Sequence, residues 1–72
     1  MESRNFELKP SSDYIELIKL LKIEGIAQTG GHAKIMIEEG EVFCNGEVEH
    51  RKRRKLRKGD IVQVDDLEIK ID

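Results

Sequence analysis

The apolar positions of this chain follow one period before Gly40 and another after it. Upstream, Tyr14, Leu17, Ile18 and Leu21 fall at i, i+3, i+4 and i+7, which predicts a helix with one buried stripe. Asp13 is the expected N-cap, with Glu16 at the third helical position as in a capping box, and Gly25 is suited to end the helix. Lys19 and Lys22 point away from the stripe. After the connector Ile26-Ala27-Gln28, Thr29 is placed to cap a second helix with the stripe Ala33, Met36 and Ile37, ending at Gly40. Two short helices with so short a connector form an αα-hairpin. Before them, Asn5-Phe6-Glu7-Leu8-Lys9 alternates polar and apolar, so a short strand with Phe6 and Leu8 inward is expected, closed by Pro10. Residues 1–4 are expected to fray.

Downstream the period is two. Val42-Phe43-Cys44 and Glu47-Val48-Glu49 flank Asn45-Gly46, the strongest short signal for a β-hairpin. A two-residue loop pairs Phe43 with Val48. A three-residue loop with a bulge places Val42, Cys44 and Val48 on one face, and it is preferred here because it buries more apolar atoms. Lys58-Gly59-Asp60 reads as a turn, followed by strands at 61–64 and 67–71 joined at Asp65-Asp66, the second facing the core with Leu67, Ile69 and Ile71. The expected architecture is α+β in one domain spanning 1–72: a helical hairpin with four to five short, mostly antiparallel strands.

Composition adds limits. With 72 residues, 38% hydrophobic and 39% charged, the chain suits a small soluble domain that buries only about 60% of its unfolded surface. No uninterrupted apolar run exceeds three residues, as in Ile35-Met36-Ile37, so neither a membrane span nor a signal peptide is expected. The lone Cys44 builds no disulfide, which fits a reducing cytoplasm. Charge changes the picture most. Residues 51–58 hold seven Lys or Arg and no acid, while the remaining six cations face fifteen acids, a balance of −9 hidden in the net −2. A basic strip on an acidic body points to a polyanionic partner.

The segment Thr29-Gly-Gly-His-Ala-Lys-Ile-Met-Ile-Glu-Glu-Gly-Glu-Val-Phe-Cys-Asn-Gly-Glu-Val, with basic residues and then Lys58-Gly59-Asp60-Ile61-Val62 after it, resembles the RNA-binding domain named after small-subunit ribosomal protein S4. The chain is similar to small bacterial proteins consisting of this domain alone. The match runs over about 14–64 and adds Leu17, Leu20 and Leu21 on the first helix. It implies a helical hairpin packed on a small, strongly bent sheet, with RNA lying across helix 2 and the loop after the hairpin. The expected partner is structured RNA, such as ribosomal or transfer RNA, and the expected state a monomer. The residues so implicated at helix 2 are Gln28, Thr29, Gly30, Gly31, His32 and Lys34. In the basic segment they are His50, Arg51, Lys52, Arg53, Arg54 and Lys55, then Arg57 and Lys58 beyond Leu56, which reads as a core anchor. Two positions depart from the family pattern: Gly30 stands where Arg or Lys is usual, and Ile35 where a charge is common.

Each feature has a plainer reading. The basic strip could be a solvated loop, but seven mutually repelling cations cost a small domain stability, which favours phosphate binding with counterion release. Gly30 and Gly31 either admit a sugar-phosphate backbone to the first N–H groups of helix 2 or serve tight helix packing or a strained connector, and both readings stay open. His32 and His50 lack metal-ligand spacing, and Cys44 reads as a small core residue, so no metal, cofactor or nucleophile is expected. No acid/base pair, phosphate loop or dinucleotide fingerprint occurs, so no enzyme is expected. Phe6, Tyr14 and Phe43 are all assigned to the core, which disfavours base stacking. The expected function is non-catalytic RNA binding. The alternatives are an adaptor docking an acidic protein and an RNA-binding subunit serving an RNA-modifying enzyme in trans.

Overall fold

A computed structural model describes residues 2–72. Its helical layer is α1 (Leu17–Ile23) and α2 (Gly30–Glu38), and both helices end as the sequence suggests. Gly25 N–H donates to Lys22 O and Ile26 N–H to Leu21 O, while Gly40 N–H donates to Ile37 O and Glu41 N–H to Met36 O. These paired bonds satisfy the last carbonyls of each helix. Thr29 caps α2 as expected, its Oγ1 accepting from His32 N–H at 3.0 Å.

The helices pack on a five-stranded sheet of order β1-β7-β6-β3-β4, built from β1 (Glu2–Phe6), β3 (Val42–Cys44), β4 (Glu47–Val48), β6 (Ile61–Val64) and β7 (Leu67–Ile71). All neighbours are antiparallel except β1 with β7. A second, two-stranded sheet pairs β2 (Ile15–Glu16) with β5 (Lys55–Leu56). Leu17, Leu20 and Leu21 of α1 and Ala33, Met36 and Ile37 of α2 are buried together with Val42, Cys44, Val62, Val64, Ile69 and Ile71 of the sheet. Leu56 and Ile15 of the small sheet join the same core. No helix of the described residues is long and apolar enough to cross a membrane.

Four expectations are corrected. Helix α1 begins at Leu17, with Glu16 as its N-cap and no side-chain cap, so Asp13 caps nothing and Tyr14 lies outside the helix. The reason is tertiary: Ile15 and Glu16 are taken into the ladder with β5, and extended backbone cannot also be helical. The strand expected at 5–9 lies at Glu2–Phe6, so residues 2–4 are paired rather than frayed, while Met1 is outside the described residues. There β7 offers an open edge, Glu2 N–H donates to Asp66 O at 2.7 Å, and Arg4 reaches Glu2 and the Glu24 carbonyl that ends α1.

The hairpin is the two-residue form, with Phe43 opposite Val48 and Cys44 opposite Glu47. Asn45 and Gly46 both have positive φ, 53° and 86°, the geometry whose twist matches the strands. Asn45 is held there by its side chain, which donates to Asp60 Oδ1 and accepts from Ile61 N–H. Burying Val48 through a bulge would give up these bonds, and Phe43 and Val48 stay exposed at 40% and 44%. The aromatics therefore do not all enter the core: Tyr14 is 39% exposed and Phe6 only packs against its margin.

Candidate functional site

The basic segment is a docked element rather than a solvated loop. A helix start leaves N–H groups without partners, and here Leu17 N–H donates to Arg54 O at 2.9 Å and Ile18 N–H to Lys52 O at 3.0 Å. Carbonyls of the basic run thus cap α1. Leu56 is fully buried, as its apolar side chain within a run of cations suggests, and β5 pairs with β2. Beyond it, Asp60 accepts from Arg57 N–H at 2.8 Å and closes the turn into β6.

The side chains of the run then divide. Glu49 is buried, and its carboxylate takes Arg51 Nε and Nη2 at 3.0 and 3.1 Å, Arg51 N–H at 2.9 Å and Arg54 Nη1 at 2.8 Å. The hydrogen bonds from Arg51, helped by Arg54 and opposed by burial, hold the Glu49 carboxyl well below the usual carboxylate range, at about 2. Both guanidinium pKa values are raised in return, by hydrogen bonding to Glu49. Two of the seven cations are thus committed to the fold.

The other five, Lys52, Arg53, Lys55, Arg57 and Lys58, are exposed and have no ionic partner among the described residues. Arg51, Arg53, Arg54 and Lys55 wall an open concavity of about 610 Å³.

At the start of α2, exposed His32 folds back on the chain entering its own helix. Its Nδ1 accepts from Gln28 N–H at 3.3 Å. Neither Gly30 nor Gly31 has a positive φ. Nothing lies within 4 Å of a Cβ built on Gly30, and one on Gly31 meets only Thr29 Oγ1 at 3.8 Å. Helix packing and a strained connector are both removed as reasons for these glycines. Lys34 and Ile35 are exposed on the same helix.

The two groups of candidate residues are not adjacent along α2. His50 packs beside Gly40, at the far end of the helix from Thr29. The nine residues of α2 separate these ends by about 14 Å. A ligand touching both must span that distance.

Among the described residues no group of three or more His, Cys, Asp or Glu could hold a metal. Burial pushes the Cys44 thiol up to about 11, so it is an inert core group. Sequence reasoning missed two residues. Glu49 has no periodic signature, and only its place two before Arg51 and five before Arg54 hints at pairing. Tyr14 was assigned to the helical stripe, yet its ring lies 5.0 Å from Lys55 Nζ and 5.7 Å from Arg57 Cζ.

The model of the S4 domain family matches residues 8–72. The chain belongs to the S4 domain family. Within it, the chain is 49% identical over 49 residues to YbcJ of Escherichia coli (strain K12), covering 68% of this chain and 70% of that protein. It is 39% identical over 54 residues to the "Probable ribosome maturation protein RlbA" of Bacillus subtilis (strain 168), covering 75% and 76%. The solution structure of YbcJ from E. coli, described as revealing an ALFAL motif involved in RNA-binding, matches with TM-score 0.66 and 39% identity over 93% of this chain and 84% of that one. The S4 domain fold is thus shared with this solved relative.

Proposed function

We propose that this S4 domain is a non-catalytic protein that binds structured RNA, ribosomal or transfer RNA, through phosphate contacts. One observation carries the reading. Backbone bonds and buried Leu56 fix the basic segment on the core, yet five of its cations face solvent with no ionic partner among the described residues. A fixed array of unpaired charge neutralises phosphates at little entropic cost, because the side-chain bases are already placed. The start of α2, with Gln28, Thr29, Gly30, Gly31, His32 and Lys34, is the second contact region. Its backbone is bare at Gly30, and its dipole end is positive. The membership and the RNA-binding description of the solved relative support the same assignment.

A fluorescently labelled stem-loop RNA and an unstructured oligomer of equal length, titrated over a range of salt, test the proposal. Contact with four to six phosphates gives a slope of log K on log salt of roughly −3 to −5. The stem-loop binds more tightly at every salt concentration. Equal affinity for the two RNAs removes structure recognition from the account, and competition by an acidic protein as effective as that by RNA replaces RNA with a protein partner.

A further inference from the structure

We propose that Tyr14 stacks on an unpaired nucleobase of the RNA whose phosphates lie on the basic segment, an inference that rests on the RNA-binding reading above. Tyr14 stands where the chain enters β2, 39% exposed although it is a large aromatic residue in a domain with few apolar side chains to spare. Lys55 of β5 and Arg57 just beyond it both lie over the Tyr14 ring, at 5.0 and 5.7 Å. The ring also walls an open groove of about 720 Å³ between residues 6–13 and α1, with Leu8, Ile15 and Ile23 as its apolar lining. Tyr14 thus meets two exposed cations and also lines the groove.

The groove carries both signs of charge. Asp13 and Glu16 can accept from an exocyclic amino group of a base, while Lys9, Lys19 and Lys22 can meet the phosphates that flank it. A base that is paired and stacked in a duplex offers no free face, so the occupant is an unpaired nucleotide in a loop or bulge. Stacking on one aromatic ring beside cations is the usual way such a base is held without sequence readout.

Tyr14 is the sole tyrosine and the chain has no tryptophan, so its ring protons form an isolated NMR signature. The experiment adds to the full chain either a stem-loop RNA with an unpaired loop or the same stem closed as a blunt duplex. The stem-loop is expected to move the Tyr14 ring protons upfield and to give NOEs from them to base protons, whereas the duplex does neither. Tyr14→Leu, which keeps bulk without a π face, should weaken stem-loop binding by about 5- to 150-fold. Its salt slope is unchanged because no charge is lost, and its affinity for the duplex stays at the wild-type value. Tyr14→Phe retains stem-loop affinity. A folded Tyr14→Leu that binds the stem-loop as the wild type does, or steeply salt-dependent binding without those NOEs, overturns the stacking proposal alone. Absence of any RNA binding by the wild type overturns it together with the proposed function.

Discussion

Arg51 and Arg54 sit in the same run as Lys52 and Arg53, yet the two pairs have different physical roles. The first pair closes on the buried carboxylate of Glu49, whose side chain is only 9% exposed. The second pair has no ionic partner among the described residues and projects into solvent. A run of like charge therefore need not act as a unit. A buried carboxylate is costly unless several donors satisfy it, and arginine supplies paired N–H groups in a fixed plane. The fold uses two cations to make a polar anchor under the segment, and the anchor presents the rest.

The largest expected effect lies on Glu49. Glu49→Gln removes the charge that holds both guanidinium groups and should cost about 2–4 kcal/mol, less than a fully buried pair because Arg51 can turn to water. Urea denaturation measures it, and a loss below half a kcal/mol would dissolve the distinction between the two pairs. Acid tests the same anchor. Because the folded Glu49 pKa is depressed to about 2 from an ordinary 4.5, its contribution is complete above pH 4.5 and is lost as pH falls toward 2. Melting temperature should fall across that window in the wild type and fall less in Glu49→Gln.

Next in size is the contrast between basic residues no more than two positions apart. Arg54→Ala removes a charged hydrogen bond at 2.8 Å and should cost about 1.5–3 kcal/mol. Lys52→Ala with Arg53→Ala should stay within about 0.5 kcal/mol of wild type, since both side chains are solvated. Equal losses in the two variants would mean that the run is uniformly structural.

That contrast also marks what the sequence could show. Helix α2 was legible to its ends, because Thr29 and Gly40 are local signals acting on backbone a few residues away. The start of α1 was not: Ile15 and Glu16 are recruited by Lys55 and Leu56, forty residues on, and no local cap competes with that ladder. The parallel pairing of β1 with β7 is equally non-local. In the hairpin, apolar counting favoured a bulge, while the Asn45 side-chain bonds to Asp60 and Ile61 chose the tight turn. The basic run was visible as charge. Its division was not, since it depends on where the Glu49 side chain points.

A smaller effect concerns the start of α2. Gly31 has no positive φ and a Cβ there meets only Thr29 Oγ1 at 3.8 Å, so Gly31→Ala should be neutral or stabilising by up to about 1 kcal/mol. Filter binding should show weaker RNA association at an unchanged salt slope if the RNA backbone approaches this turn. Unchanged affinity would leave Lys34 and the basic segment as the contact surface.

The central claim is that the unpaired cations, and not the run as a whole, contact phosphate. It is tested most directly by the salt dependence of stem-loop binding in wild type and in Lys52→Ala with Arg53→Ala. If both residues neutralise a phosphate, the slope becomes shallower by roughly 1.4–1.8 while the melting temperature holds. A folded double variant with the wild-type slope would contradict the claim.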